Sequence, residues 1–207
     1  MIIIINAFVI RPYRAELYLY QGRRWLIDKD YKNALPVIAY AQQLDPHNGR
    51  NLHALGATYY NLGEFNQAIY YLQEAKKYMI DVNTFCILGL TYFNLNMFKE
   101  AEEELKKAIY LDPKFTEGYH YLGLLYFQQE DYDKAVEQWN KILEIEPDFP
   151  NKYIVLNNLG IVYNKKKMPD KALEYFVQAL QLVPEGSPIE EEIEEEINKI
   201  YKSSLEN

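Results

Sequence analysis

The stretch GYHYLGLLYF, residues 118–127, is almost entirely large and apolar, yet a glycine lies at its centre. An interior glycine costs a helix about 1 kcal/mol relative to alanine, so Gly123 needs a physical reason. Similar apolar stretches with a central glycine occur four more times in the chain. The five glycines are Gly22, Gly56, Gly89, Gly123 and Gly160, and they are separated by 34, 33, 34 and 37 residues.

Alanine and proline follow the same period. Twelve residues after each glycine comes an alanine, namely Ala34, Ala68, Ala101, Ala135 and Ala172. Four of the five copies carry a proline near their end, and the second has Ile80 in its place. A fixed period of this size indicates stacked units. Each unit is predicted to be two helices, with glycine and alanine small enough for a close approach and proline ending the second helix. Gly123 is therefore predicted to be a packing contact.

The pattern resembles the tetratricopeptide repeat (TPR) family. In the fourth copy the matching residues are Tyr119, Leu122, Gly123, Tyr126, Ala135, Trp139, Ile142 and Pro147. The resemblance implies an all-α fold, a right-handed α-solenoid of five TPR helix pairs with a C-terminal capping helix. The five copies are predicted at residues 15–48, 49–81, 82–115, 116–149 and 153–186.

Two segments flank the repeats. Residues 187–207 are acidic and carry an apolar stripe, which predicts a helix that caps the last repeat. Ser187 and Glu190 are predicted to form a capping box, with Pro188 at the first helical position. Residues 1–14 are apolar and are expected to cap the first repeat, although a segment exposed for dimerisation or for contact with a membrane is the alternative.

Composition excludes several classes of protein. The net charge of −8 argues against nucleic acid, which needs a basic face. The apolar start MIIIINAFVI is ten residues long, whereas a membrane-spanning helix needs about 20. A single cysteine favours a cytoplasmic location, although an export signal on a longer precursor would not be visible.

No enzyme signature is found in the sequence. The glycines lie within predicted helices, so none forms a phosphate-binding loop, and no catalytic order of serine, histidine and acid appears. A non-catalytic protein without a cofactor is expected. The TPR resemblance implies an interaction scaffold or adaptor, which holds a peptide segment or a helix of another protein in a concave groove.

Helical phase predicts which residues line that groove, because they lie opposite the side of each first helix that faces its own repeat. Aromatic residues in the groove either anchor a partner or pack against the adjacent repeat, and amides beside them can hydrogen-bond a peptide main chain. The aromatic column consists of Tyr60, Phe93 and Phe127. The other predicted groove residues are Tyr20, Arg50, His53, Asn61, Cys86, Asn94, His120, Tyr121, Asn157 and Asn158.

Two features of the sequence bear on other functions. His53, Cys86 and His120 occupy one position in consecutive repeats, and both residue types bind zinc or copper. Equivalent atoms of stacked repeats should be about 10 Å apart, whereas ligands must lie within about 2.3 Å of one ion, so no metal site is expected. Self-assembly is the stronger alternative, in which the basic N-terminal end of one copy meets the acidic tail of the next. Residues 1–50 carry a charge of +3 (seven basic, four acidic), and residues 187–207 carry one of −5 (two basic, seven acidic).

Overall fold

The computed structural model describes residues 10–205, with side chains up to residue 202, and over this range it contains eleven α-helices and no strand. Of the predicted N-terminal cap at 1–14, residues 1–9 lie outside the described residues. The helices are α1 (Arg11–Ile27), α2 (Tyr31–Leu44), α3 (Gly49–Asn61), α4 (Phe65–Ala75), α5 (Val82–Asn94), α6 (Phe98–Leu111), α7 (Thr116–Gln128), α8 (Tyr132–Ile145), α9 (Lys152–Lys165), α10 (Pro169–Leu180) and α11 (Pro188–Leu205).

The helices form an all-α solenoid of helix pairs, divided into two compact units. Unit 1, Met1–Pro113, contains the pairs α1–α2, α3–α4 and α5–α6. Unit 2, Lys114–Asn207, contains the pairs α7–α8 and α9–α10, followed by α11. Along residues 10–205, no helix combines the length and the apolar character that a membrane span requires.

The repeated glycines are packing contacts between the two helices of a pair, as the sequence predicts. A Cβ atom on Gly123 would lie 2.3 Å from Nε1 of Trp139, and one on Gly160 would lie 2.6 Å from Cδ1 of Phe176. In unit 1 the glycines face Ile38, Leu72 and Leu105. The nearest atoms thus belong to a large residue of the second helix, sixteen positions after the glycine. This large residue lies directly over the glycine.

The turn inside each helix pair has one backbone conformation in all five pairs. Its left-handed residue has a positive φ, and the following amide donates to the carbonyl five positions earlier, as Asp131 does to Tyr126 at 2.9 Å. Only the second pair places glycine there, although glycine alone adopts this conformation without steric cost. The left-handed residues are Lys29 (φ 56°), Gly63 (78°), Asn96 (58°), Glu130 (60°) and Lys167 (58°).

Helix α11 packs on the last helix pair. Its Ile193 and Ile200 are buried together with Phe176 and other apolar residues of α9 and α10. The helix begins at Pro188, and Oγ of Ser187 accepts a hydrogen bond from the Ile189 amide at 3.4 Å. Glu190 accepts from the amide of Gly186 at 2.7 Å. The reciprocal bond of the predicted capping box therefore goes one residue further back than expected.

Candidate peptide-binding surfaces

The predicted groove residues divide between the two units. The unit 1 groove face consists of Tyr20, Arg50, His53, Tyr60, Asn61, Cys86, Phe93 and Asn94. The unit 2 groove face consists of His120, Tyr121, Phe127, Asn157 and Asn158.

Tyr60 and Phe93, the members of the aromatic column in the unit 1 groove face, are half-buried. The ring of Tyr60 lies 6.0 Å from that of Phe65, and the ring of Phe93 lies 6.1 Å from that of Phe98. Burial raises the pKa of the Tyr60 hydroxyl, while its hydrogen bond to the Asn94 side chain lowers it. Each ring thus contacts the second helix of its own pair, and the Tyr60 hydroxyl also contacts the adjacent repeat through Asn94.

The amides of the unit 1 groove face are partly occupied. Nδ2 of Asn61 donates to the carbonyl of Ala57 at 2.8 Å, and Nδ2 of Asn94 donates to the carbonyl of Leu90 at 2.8 Å. Each bond uses one of the two N–H groups of an amide that has two donors and one acceptor oxygen. These side chains therefore offer a peptide fewer hydrogen bonds than the sequence suggested.

His53 and Cys86 lie deeper than a groove surface would require. Nδ1 of His53 is 2.8 Å from Oγ1 of Thr84 and 3.8 Å from Oδ2 of Asp81. Burial lowers the pKa of His53, with the Asp81 carboxylate opposing this effect and Arg23 adding to it. The side chain of Cys86 is in the core, with 5% of its surface exposed. Within residues 10–202, no three His, Cys, Asp or Glu side chains are grouped closely enough to hold a metal ion.

The two remaining members of the unit 1 groove face are at its N-terminal end. Nη2 of Arg50 lies 3.1 Å from Oε2 of Glu16, in an ion pair that joins α3 to α1. Tyr20 is exposed on the surface of α1. Both side chains are accessible.

A pocket of about 220 Å³ lies in unit 2 between α7, α8 and α9. Two predicted groove residues, His120 and Tyr121, line it from α7, together with Ile154 from α9. Phe149 contributes from the loop between α8 and α9. Glu117 is the only carboxylate among the residues described as lining the pocket. The pocket combines apolar and aromatic walls with one negative charge.

The pocket owes part of its wall to the longest spacing in the repeat pattern. Three extra residues, 150–152, separate the fourth copy from the fifth and lengthen the loop between α8 and α9. Two of the lining residues, Phe149 and Asn151, come from this loop. The change of spacing from 34 to 37 residues was the signal that could have located the pocket.

His120 is uncharged at neutral pH. Burial lowers its pKa below the ordinary value of 6.5, and the nearby Glu117 carboxylate opposes this only in part. Its backbone carbonyl accepts a hydrogen bond from Nε1 of Trp139 at 3.3 Å, and its ring contacts that of Tyr121 edge to face at 5.4 Å. The charge of the pocket lining at pH 7 is therefore that of Glu117.

The last part of the unit 2 groove face adjoins the acidic helix. Asn157 lines a second cavity, of about 390 Å³, whose other wall includes Glu192 and Glu196 of α11. Nδ2 of Asn164 donates to Oε2 of Glu196 at 3.3 Å. Helix α11 thus lies against the side of α9 that the sequence assigned to an open groove. Phe127 packs on its own pair, with its ring 5.9 Å from that of Tyr132.

Comparisons with known proteins agree with this architecture. A family model described as tetratricopeptide repeat matches residues 116–185, and one described as TPR repeat matches residues 89–129. A third, described as "anaphase-promoting complex, cyclosome, subunit 3", matches residues 28–108. The comparison with curated proteins gave no significant match.

Solved structures with the same fold include MamA, with 28% identity and a TM-score of 0.70, over 81% of this chain and 91% of MamA. The TPR protein YrrB is 22% identical, with a TM-score of 0.65 over 82% of this chain and 86% of YrrB. PilF of Pseudomonas aeruginosa is 18% identical, with a TM-score of 0.77 over 93% of this chain and 86% of PilF. Five in-phase glycines, five identical turns and these matches lead to one conclusion: the chain belongs to the tetratricopeptide repeat family.

Proposed function

We propose that this protein is a non-catalytic interaction scaffold that holds a peptide segment or a helix of another protein in the pocket of unit 2. Membership of the TPR family supports a protein-interaction scaffold in general. The pocket formed by His120, Tyr121, Phe149 and Ile154 is the observation that carries the finer proposal.

The size of the pocket favours a side chain of a peptide as its occupant. Pockets for drug-sized molecules measure about 300–1,000 Å³, and this one measures about 220 Å³. Aromatic and aliphatic walls favour a large apolar anchor, since such anchors in water-excluding sites contribute most of the binding energy at protein interfaces. YrrB is described as a TPR protein with an unusual peptide-binding site, which supports a peptide as the ligand by analogy of fold.

The charge of the pocket lining indicates which kind of peptide it favours. Burial lowers the pKa of His120 and so disfavours its positive charge, which leaves the Glu117 carboxylate to make the pocket lining negative. The whole chain carries a net charge of −8. A peptide with a lysine or arginine beside its apolar anchor complements this surface, because opposite charges speed association and disfavour acidic competitors.

The unit 1 groove face is proposed as a secondary contact surface. Tyr60 and Phe93 are half-buried but still reachable, and Asn61 is exposed beside them. Because these aromatic rings already pack against their own pairs, their removal should weaken binding less than a change in the unit 2 pocket. A cytoplasmic location remains a prediction from the sequence.

Selection from a random peptide library displayed on phage tests the proposal without a known partner. We expect selected peptides to carry a large apolar residue beside Lys or Arg. Tyr121→Ala should weaken the binding of such a peptide at least tenfold, because truncation of a central anchor typically costs about 2 kcal/mol or more. The matched control is Tyr201→Ala, which removes an exposed tyrosine of the same unit. Equal affinities of the two variants, measured by calorimetry, would refute the pocket as the binding site.

A further inference from the structure

An exposed apolar stripe runs along helix α1, starting at Ile10 just before its first residue, and no part of the described chain covers it. Ile10, Tyr13, Leu17, Tyr20 and Ile27 have exposed fractions of 44, 73, 48, 64 and 79%. These residues recur three and four positions apart, and Arg24 occupies the remaining place in the series. Alternating spacings of three and four are those of the a and d positions of a coiled coil.

The stripe lies opposite the face by which α1 joins the rest of unit 1. Ala15, Leu19 and Gly22 are buried on that inner face. At about 100° per residue, the centre of the stripe is roughly half a turn of the helix away from them. A helix that is apolar on two opposite faces normally has a partner on each, and here the outer face lacks one.

A second copy of α1 matches the stripe when the two helices run antiparallel. With the two-fold axis between Leu17 and Tyr20, Leu17 packs against the partner's Tyr20 and Ile10 against the partner's Ile27. Arg24 then lies over the ring of the partner's Tyr13, a favourable contact between a cation and an aromatic ring. A parallel pair would instead place Arg24 against the partner's Arg24, which is repulsive.

Charges beside the stripe favour the same arrangement. Glu16 and Arg23 lie seven residues apart on one edge of the stripe, at the g position of successive heptads. In an antiparallel pair, g positions face g positions, so Glu16 meets the partner's Arg23, and this pair occurs twice by symmetry. Within one chain Glu16 also pairs with Arg50, so the carboxylate would be shared between two guanidinium groups.

We propose that this protein forms a symmetric homodimer through antiparallel pairing of the outer faces of α1. The contact is isologous, so it closes at two copies and does not build fibres. It differs from head-to-tail assembly of a basic end on an acidic tail, because its centre is apolar and the tail plays no part. The pocket of unit 2 also plays no part, so the dimer does not depend on it, whereas Tyr20 belongs to the unit 1 groove face and would be covered in the dimer.

Sedimentation velocity of the full chain over a range of concentrations tests the dimer. We expect a monomer–dimer equilibrium that persists in about 1 M salt, where screening over roughly 3 Å removes long-range charge attraction. Leu17→Glu with Tyr20→Glu should raise the dissociation constant at least tenfold. The control is Tyr70→Glu, which puts the same charge on an exposed tyrosine of unit 1 outside α1 and should leave the constant unchanged.

Charge reversal tests the orientation. Glu16→Arg and Arg23→Glu should each weaken the dimer, because each places like charges together, and the two changes combined should restore the dissociation constant to within about threefold. Because Glu16→Arg also breaks the ion pair between Glu16 and Arg50, Arg50→Ala serves as the control for the loss of that pair alone. Circular dichroism verifies that each variant is folded.

Three results would overturn the proposal. One is a chain that stays monomeric at every concentration. Another is a dimer that the two changes in the stripe leave intact. The third is a full chain that is monomeric but dimerises once residues 1–9 are deleted, since the apolar segment MIIIINAFV would then be the occupant of the stripe.

Discussion

Gly123→Ala adds a single methyl group at the tightest helix contact of unit 2. The new Cβ would lie 2.3 Å from Nε1, 2.6 Å from Cε2 and 2.7 Å from Cδ1 of Trp139. Relief requires a movement of about 1 Å, because an ordinary carbon contact is roughly 3.5 Å or more. Trp139 is 1% exposed and its Nε1 donates to the carbonyl of His120, so the ring cannot move without opening the core or losing this bond.

The expected change in the free energy of unfolding is the sum of three effects. Overpacking costs about 1–3 kcal/mol and loss of a buried hydrogen bond about 1 kcal/mol, whereas replacing a helical glycine by alanine gains about 1 kcal/mol. We therefore expect a net destabilisation of about 1–3 kcal/mol, measured by urea unfolding followed by circular dichroism.

The same substitution in a variant of Trp139 tests whether the loss of stability comes from the contact between Gly123 and Trp139. In Trp139→Ala, which removes the ring atoms that the methyl group meets, the added methyl group should cost much less than in the wild type. If Gly123→Ala is as stable as the wild type, helix propensity dominates and the packing explanation for the repeated glycines is wrong. Equal penalties in both backgrounds would show that Trp139 is not the residue that the methyl group meets.

The remaining predictions concern the turns, the histidines and the acidic helix. Glu130→Gly should stabilise the chain by about 0.5–1 kcal/mol, because Glu130 has a φ of 60° and glycine adopts this without strain, whereas Gln129→Gly beside it should destabilise; thermal melts compare the two. Burial lowers the pKa of both His53 and His120 in the folded chain below the ordinary 6.5, so the unfolded chain binds more protons. Their contribution to stability is thus complete above about pH 6.5 and is lost as the pH falls towards the folded values; unfolding at several pH values should show a smaller acid loss for His120→Gln than for the wild type. Deletion of residues 188–207 should expose the apolar surface under Ile193 and cause aggregation, which light scattering would detect; a truncated chain that remains monomeric and equally stable would show that α11 is not a cap.

The fold was largely predictable because five in-phase copies of the repeat each indicate the same pair of helices. Glycine and alanine at a fixed separation require two closely packed helices, and Gly123 is such a contact. The partner of the glycine was less predictable, since the sequence period does not show which large residue lies over it. Left-handed turn residues such as Lys29 and Glu130 carry no sequence signal, because their conformation is imposed by the two helices they join and not by their own preference.

The candidate site was predictable only in outline. His120 and Tyr121 were chosen from helical phase and do line a pocket, but Phe149 comes from a loop, to which helical phase does not apply. Helical phase also cannot report depth, which is why Cys86 was assigned to the groove although it is buried. The position of α11 against α9 depends on tertiary packing of its isoleucines, so Asn157 could not be recognised as its neighbour.

The most direct test of the interaction scaffold is a ¹⁵N NMR titration of the full chain with a peptide selected from the library. We expect the largest chemical-shift changes at residues 116–121 and 149–155, with smaller changes at Tyr60 and Phe93. Changes confined to exposed residues of α8 and α10, away from the pocket, would contradict it.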